Sequence, residues 1–192
     1  MSDRTSERLP PTPTLDCDRL VLRPLRMEDA PVIQRRFPRW EIVRFLNADN
    51  VPWPYPGDGA TGHIANCLEE MARGEKLYWA IALKDEPDDL IGRIDLRPDD
   101  GKSRDMRGFW LDPEHHGKGF MTEAAERVTG YAFVELGWPH LWLCNDERNV
   151  ASGRIKEKQG AVLVEREPCR SVAGAGIRQV WRLDRATWLA RR

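Results

Sequence analysis

The sequence lacks the features that mark several other classes of protein. The longest apolar run among its 192 residues, Leu77 to Leu83, is far below the roughly 18 residues that a membrane-spanning helix needs. Its four cysteines are scattered without a CxxC pair, which argues against a disulfide framework or a zinc site. The net charge of −1 gives no basic field that would attract nucleic acid. We therefore expect a cytoplasmic protein with reduced thiols and with neither a membrane nor a nucleic-acid partner.

The length suits a single domain with a full hydrophobic core. Residues 1–14 are polar, contain three prolines and have no apolar segment of a secretory signal. We expect these residues to form a disordered tail and residues 15–192 to form the domain.

Hydrophobic periodicity and turn residues predict an α/β fold with the order β-α-α-α-β-β-β-α-β-α-β-β. The predicted strands are 20–25, 77–84, 90–97, 106–111, 140–145, 161–166 and 177–183. The predicted helices are 28–37, 40–46, 58–73, 120–136 and 150–159. Turns are expected over 85–89 and 99–102, and a loop with two glycines over 171–176.

The most informative segment is the junction between the strand ending at Leu111 and the helix that follows. Gly117 and Gly119 lie one residue apart just before this helix. The first amides of a helix have no intrahelical acceptor, and the helix dipole makes their surroundings positive. Glycine has no Cβ to keep an anion away, and Lys118 and His116 can add positive charge. The junction therefore predicts a binding site for a phosphate or pyrophosphate.

Two common phosphate loops are excluded by position. A dinucleotide fingerprint needs a third glycine where Thr122 stands, and a Walker loop needs Ser or Thr where Gly119 follows Lys118. A strand-turn-helix junction without a ligand remains the alternative.

The same segment resembles the acetyl-CoA loop of the GNAT N-acetyltransferases, which reads Arg or Gln, two residues, Gly, one residue, Gly or Ala. The corresponding six residues here are His116 to Met121. His116 replaces the usual Arg or Gln, and Met121 replaces the small residue. The string from Gly119 to Ala124 is similar to the branch of ribosomal-protein N-terminal acetyltransferases (RimJ/RimL-like), in which Met is tolerated at this position.

A second motif follows in the order that this family requires. Asn149, Ser152 and the run Glu157-Lys158-Gln159-Gly160 match the family pattern of Asn, two residues, Ser, then Glu-Lys-x-Gly. Taken alone, Asn149 is an ordinary helix N-cap and Ser152 an ordinary first-turn residue. Together, the two motifs identify a resemblance to the GNAT family that spans residues 20–183. It implies one domain with a central, mostly antiparallel mixed sheet that is splayed open to hold acetyl-CoA and flanked by helices.

The resemblance also implies roles for individual residues. The cofactor-binding set would be Trp110, Leu111, His116, Gly117, Lys118, Gly119, Phe120, Met121, Thr122 and Asn149. The backbone of Trp110 and Leu111 would lie along the pantetheine arm, and Asn149 would bind a pantetheine amide. Many members have a tyrosine near the departing thiolate, seven residues after this asparagine. Lys156 stands there in this chain, so Ser152 becomes the candidate donor to the sulfur.

The acceptor is expected to be a primary amine, with a peptide or protein N-terminal α-amine favoured by the branch. Asp95 is the first candidate for a base that acts through water, and the alternative is that it only pairs with Arg93 or Arg97 on the surface. Glu41 and Asp58 are weaker candidates.

Three aromatic residues complete the predicted acceptor cleft, although they can equally be packing residues. They are Trp40, Trp53 and Tyr55, with Glu41 beside them. No second ligand accompanies His115 at a usable spacing, so no metal is expected. The sequence leaves open a small-molecule amine as acceptor, a non-catalytic acyl-CoA sensor, and a monomer or a homodimer.

Overall fold

The computed structural model describes residues 8–192, which form eight strands and six α-helices. The strands are β1 (Leu15–Asp16), β2 (Leu20–Pro24), β3 (Leu77–Leu83), β4 (Glu86–Leu96), β5 (Phe109–Leu111), β6 (His140–Asp146), β7 (Val162–Ser171) and β8 (Gly174–Asp184). The helices are α1 (Ala30–Arg36), α2 (Trp40–Val43), α3 (Gly59–Arg73), α4 (Phe120–Gly130), α5 (Val150–Gln159) and α6 (Arg185–Leu189). A π-helical turn, Tyr131–Glu135, extends α4.

The strands form two antiparallel sheets rather than one continuous sheet. The first has the order β1-β2-β3-β4-β5, and the second has the order β6-β8-β7. The edge strands β5 and β6 are not paired in a ladder within residues 8–192. A backbone hydrogen bond of 2.7 Å from Met106 N to Trp142 O joins the sheets just before β5. This arrangement leaves an opening between β5 and β6, as the family resemblance implied for a splayed sheet.

Two hydrophobic cores lie on opposite faces of the first sheet. Side chains alternate along β3, so that Trp79 enters one core and Ala80 enters the other. The core around Trp79 also contains Phe133 and Trp188, whereas the core around Ala80 contains residues of α1 and α3. Because β3 is covered on both faces, it reads as an unbroken apolar run rather than as alternating residues.

Two predicted turns are shorter in the structure. The expected turn over 85–89 is wrong, because β4 begins at Glu86 and only Lys84 and Asp85 connect it to β3. The expected loop over 171–176 is reduced to a two-residue turn between β7 and β8. Both segments are rich in turn-forming residues, but cross-strand pairing decides the structure of strands more than local propensity does.

Several element boundaries also differ from the prediction. β5 begins at Phe109 instead of 106, and β1 and α6 were not predicted. Two-residue strands and five-residue helices carry too little periodicity to be recognised in a sequence. α5 has the predicted bounds, and it ends at Gly160 in the left-handed conformation (φ 87°) that glycine tolerates.

The expected N-terminal tail falls partly outside the described residues. Residues 8–14 contact the domain, so the expectation of disorder is wrong for this part. The amide of Leu9 donates to Gly74 O (2.9 Å), and the indole of Trp79 donates to Pro13 O (2.6 Å). None of the helices in the described range is long and apolar enough to cross a membrane.

Candidate active site

A cavity of about 540 Å³ opens beside β5. Its wall comes from four parts of the chain: α2 with the segment after it, β5, the glycine loop with the start of α4, and one side of α5. The lining residues are Glu41, Ile42, Arg44, Phe45, Leu46, Phe109, Trp110, Leu111, His115, His116, Gly117, Gly119, Phe120, Met121, Thr122, Asn149, Ala151, Ser152, Arg154, Ile155 and Lys158. The two sequence motifs, which lie about 30 residues apart, therefore face one another across a single cavity.

The glycine loop and the first turn of α4 have free backbone amides, and all of these residues except Lys118 line the cavity. Gly117 and Gly119 have φ values of 74° and 82°, which side-chain-bearing residues rarely adopt. No side chain caps α4, and its first backbone bond runs from Glu123 N to Gly119 O (3.0 Å). The amides of residues 117–122 donate to no acceptor within residues 8–192. Six unpaired donors at a helix N-terminus form a strong site for an anion.

Arg19, in the connection between β1 and β2, fixes the loop from outside. Its guanidinium donates to Lys118 O (2.9 Å), pairs with Glu123 (2.8 Å) and stacks over the ring of Phe120 at 4.6 Å. These contacts hold the loop in the conformation that exposes its amides. Lys118 itself is exposed and does not line the cavity.

The residues whose backbone forms the open edge of β5 differ from the predicted pair, Trp110 and Leu111. In the pairing of β4 with β5, Trp110 is opposite Arg93, and bonds from Asp95 N to Gly108 O and from Asp112 N to Ile91 O flank this pair. Because antiparallel pairs alternate, the backbone groups of Trp110 face β4. The free edge is thus formed by Phe109 and Leu111, and Trp110 is wrong as a backbone partner of the pantetheine arm.

His116 is bound to this free edge. Its Nε2 lies 2.8 Å from Leu111 O, which fixes the imidazole between β5 and the glycine loop. The residue therefore connects the two parts of the predicted acetyl-CoA site, although it replaces the Arg or Gln that is usual at this position.

The start of α5 holds the second motif. The side chain of Asn149 accepts a hydrogen bond from Ser152 N (3.2 Å), so Asn149 is the N-cap of α5. Both residues also line the cavity. Ser152 is buried, and Lys156 Nζ lies 2.8 Å from its Oγ. Burial first, and then the charge of Arg107, lower the pKa of Lys156 to about 7.

The charged side chains of the cavity favour an anionic ligand. Arg44, Arg154 and Lys158 line it, against the single carboxylate of Glu41. Glu41 is exposed on α2 and has no ion pair or hydrogen bond among the described side chains. An excess of cations around a concave surface concentrates phosphate-bearing molecules there.

Asp95 does not line the cavity. It is buried on β4, where it accepts from Gly108 N (3.2 Å) and pairs with Arg93 (3.4 Å) and Arg97 (3.8 Å). The structure therefore supports the alternative of ion pairing with both arginines, although the pairs are buried rather than on the surface.

The three aromatic residues predicted for the acceptor cleft lie near α1 and α2 but do not line the cavity. Trp40 and Trp53 contact each other with ring centroids 5.9 Å apart, and each is 44% exposed. Tyr55 packs edge-on against Phe37 at 5.3 Å. Asp58 is the N-cap position of α3 and is also absent from the lining. Of the predicted acceptor residues, only Glu41 faces the cavity.

Among the lining residues that the sequence reasoning missed are two groups. Ala151, Ile155 and Lys158 follow one another at helical spacing along α5, so the periodicity of the helix contained a signal for them. Arg44 to Leu46 line the cavity because the segment after α2 bonds to the β7–β8 hairpin, through Val172 N to Leu46 O (3.0 Å) and Ala173 N to Arg44 O (2.9 Å). No local pattern reveals that long-range pairing. Within residues 8–192, no group of three or more His, Cys, Asp or Glu side chains is arranged to hold a metal.

Comparisons with known proteins agree with this geometry. A family model described as "Acetyltransferase (GNAT) domain" matches residues 19–162. The chain is 30% identical to "Uncharacterized N-acetyltransferase YoaA" of Bacillus subtilis over 149 residues, which cover 77% of this chain and 82% of that protein. Among solved structures, it resembles Mycobacterium smegmatis RimJ in complex with CoA-disulfide (TM-score 0.77, 16% identity, 93% and 94% of the two chains). It also resembles RimL, a ribosomal L7/L12 alpha-N-protein acetyltransferase, in complex with coenzyme A (TM-score 0.74, 13% identity, 90% and 98%).

Proposed function

Because the chain belongs to the GNAT family of acetyl-CoA-dependent N-acetyltransferases, we propose that its cavity binds acetyl-CoA and that the acceptor is the α-amine of a peptide or protein N-terminus. The main support for acetyl-CoA binding is the row of six unpaired amides over residues 117–122. These residues lie at the end of a cavity that Asn149 and Ser152 also line. The acceptor half rests on chemistry and on the activity for which RimL is named.

The residues fit acetyl-CoA from its phosphates to its thioester. The amides of residues 117–122 would hold the pyrophosphate, with Arg154 and Lys158 adding positive charge. The free edge of Phe109 and Leu111 would bond to the pantetheine amides as an added strand would. The side chain of Asn149 can bind such an amide too, because it offers both a donor and an acceptor. When bound, acetyl-CoA supplies the activated acetyl group.

Ser152 would act on the sulfur. As the acceptor nitrogen attacks the thioester carbon, the carbon–sulfur bond breaks and its electron pair remains on sulfur. A hydroxyl group that is held in the cavity and donates a hydrogen bond to that sulfur stabilises the developing negative charge. Serine is too weak an acid to protonate the thiolate fully, so its contribution is electrostatic.

An α-amine suits a site without a strong base. Its pKa is about 8, so about half of it is uncharged near pH 8, whereas a lysine side chain with a pKa near 10.4 must first be deprotonated. Glu41 is the carboxylate on the cavity wall, and it can attract the cationic acceptor and receive its proton through water. We propose Glu41 for this role instead of Asp95, whose carboxylate is engaged by Arg93, Arg97 and a backbone amide.

The test is the release of free CoA thiol from acetyl-CoA, followed with a chromogenic disulfide reagent, against three matched acceptors. These are a lysine-free peptide with a free N-terminus, the same peptide capped at the N-terminus and carrying one lysine, and the polyamine spermidine. We expect the free N-terminus to react fastest. Glu41→Gln should raise KM for that peptide, whereas Asp95→Asn should mainly destabilise the fold by leaving two arginines without their carboxylate.

Faster turnover of the capped lysine peptide or of spermidine would overturn the proposed acceptor and leave the acetyl-CoA site intact. A kcat that falls sharply in Asp95→Asn at unchanged thermal stability would return the base role to Asp95.

A further inference from the structure

Lys156 is an unusual residue for its location. It is 1% exposed, and its side chain lies among Ser152 of α5, Phe109 of β5 and the connection between β4 and β5. Taking an ammonium group out of water carries a large free-energy cost unless partners satisfy it. A residue that lowers stability in this way is a candidate for a role in function.

The partners of Lys156 connect it to the cavity. Lys156 follows Ser152 by four residues, which places the two side chains on the same face of α5. Its Nζ lies 2.8 Å from Ser152 Oγ and 3.3 Å from Ser152 O. It also lies 5.6 Å from the centre of the Phe109 ring, a distance at which an ammonium group is attracted to the ring. Ser152 and Phe109 both line the cavity, and Lys156 lies behind them.

The hydrogen-bonding capacity of the two groups determines the direction of the serine hydroxyl. An ammonium group has three donors and no acceptor, so Ser152 Oγ must accept the bond from Lys156. The serine proton is then available to an acceptor on the other side, which is the cavity. A neutral amine has a lone pair, so it can receive the serine proton and turn the hydroxyl away from the cavity.

We propose that Lys156 is a positioning residue of the acetyl-transfer reaction, because its ammonium group occupies a lone pair of Ser152 Oγ and directs the serine hydroxyl toward the thioester sulfur. This inference rests on the role proposed above for Ser152. The charge of the ammonium group also stabilises the thiolate through the hydroxyl. Lys156 does not transfer its proton. The acceptor nitrogen gains the bond to the acetyl carbon and loses a proton through water to Glu41, as proposed above, and sulfur keeps the electron pair and takes a proton from solvent.

The charged and titratable groups around Lys156 set its protonation. Arg107 lies on the connection between β4 and β5 and favours the neutral amine, as burial does. The carboxylate of Asp105, on the same connection, opposes these effects, and the thiolate of Cys144, on β6, would do so only at high pH. Burial raises the pKa of the Cys144 thiol to about 12, so this group is neutral near pH 7. Together these groups bring the pKa of Lys156 to about 7, which means that its charge can respond to the thiolate that forms beyond Ser152.

The experiment measures the thiol of bound CoA and needs no acceptor. CoA labelled with ¹³C at the carbon bonded to sulfur is titrated by NMR in complex with wild type, Lys156→Met, Lys156→Arg and Ser152→Ala. Glu157→Gln, an exposed charge change on the same helix, is the control. The ammonium group of Lys156 and the thiol of CoA titrate as a coupled pair, so the macroscopic pKa values are compared between complexes.

We expect the pKa of the bound thiol to be about one unit lower in Lys156→Arg than in Lys156→Met, because a nearby opposite charge lowers a pKa by about 1–3 units. The thiol pKa in wild type should also be lower than in Lys156→Met. Ser152→Ala should resemble Lys156→Met, and Glu157→Gln should match wild type. If Lys156→Arg does not fold, the comparison of wild type with Lys156→Met decides.

The role of Lys156 would be overturned if the thiol pKa were equal in wild type, Lys156→Met and any folded Lys156→Arg. A higher thiol pKa in Ser152→Ala would in that case leave the role of Ser152 standing. A thiol that titrates alike in wild type, in Ser152→Ala and in free CoA would overturn the role proposed for Ser152 as well.

Discussion

The assignment of the glycine loop can be tested by placing one side chain at two glycines with similar backbone conformations. Gly119 (φ 82°) lies on the cavity, and Gly101 (φ 70°) lies in an exposed turn, where an added Cβ would have nothing within 4 Å. A Cβ at Gly119 would meet only the guanidinium of Arg19, at an ordinary 3.4 Å. Both sites therefore tolerate a side chain sterically, and both incur the strain of the left-handed conformation, about 1–2 kcal/mol.

The two positions should differ only in their effect on CoA. For Gly119→Ala and Gly101→Ala we expect similar decreases in Tm of about 2–8 °C, since 1 kcal/mol corresponds to about 2–4 °C at this chain length. Gly119→Ala should also block the approach of the pyrophosphate to the amides. Loss of one hydrogen bond to a charged group costs about 1.5–3 kcal/mol, which is roughly a 10- to 150-fold rise in Kd.

Glutamate makes the comparison sharper. Gly119→Glu adds a negative charge within a few ångströms of the expected phosphates, a repulsion of about 1–4 kcal/mol at 4 Å in surroundings between water and a protein surface. Gly101→Glu adds the same charge far from the cavity lining. Isothermal titration calorimetry with CoA measures both variants. A Gly119→Glu protein that binds CoA within twofold of the Gly101→Glu protein would falsify the assignment of the loop.

Three further predictions concern the reaction and the fold. Ser152→Ala should lower kcat by up to about 10²–10³-fold with little change in the Kd of acetyl-CoA, and steady-state kinetics that find full kcat would leave Ser152 as a helix residue only. Lys156→Met should raise the free energy of unfolding by about 1–4 kcal/mol at pH 6, since an apolar side chain replaces a buried charge. The pKa of Lys156 is about 7 in the folded chain and 10.5 in the unfolded chain, so between these values the unfolded chain binds more protons. The free energy of unfolding of wild type therefore rises with pH over this range. The advantage of Lys156→Met in denaturant titrations should shrink accordingly. Gly92→Ala should destabilise by about 1–3 kcal/mol, because its Cβ would lie 2.5 Å from Trp110 O in β5, whereas Gly62→Ala, at an open position in α3, should be neutral or stabilising in the same titration.

The sequence predicted the parts of the site that depend on local structure. Gly117 and Gly119 require a left-handed backbone, and Asn149 caps the helix that carries Ser152, so residue type and spacing alone locate these groups. Their common role was inferred from the resemblance to a family, and in the structure they line the same cavity.

The acceptor side was less predictable, for a physical reason. Whether Asp95 faces a cleft or a pair of arginines depends on the register of β4 with its neighbours and on the close approach of Gly108, whose Cβ would lie 2.8 Å from the carboxylate. Arg44 reaches the cavity because the segment after α2 pairs with a hairpin about 125 residues later. Such contacts are long-range, and a single sequence holds no periodic signal for them.

Lys156 shows the same distinction within one helix. Its position, seven residues after Asn149, is visible in the sequence, but a lysine there reads as an exposed helix residue. Only the structure shows that the side chain is buried and lies against Ser152 and the ring of Phe109 in β5.

The central claim is that CoA binds with its phosphates on the loop amides and its pantetheine arm along β5. Amide ¹H–¹⁵N spectra of the protein, recorded with CoA and with pantetheine, which lacks the phosphates, test both parts at once. We predict that the amides of residues 117–122 shift strongly with CoA and little with pantetheine, whereas those of Phe109 and Leu111 shift with both ligands. Loop amides that stay unshifted when CoA binds, or that respond equally to pantetheine, would contradict the account.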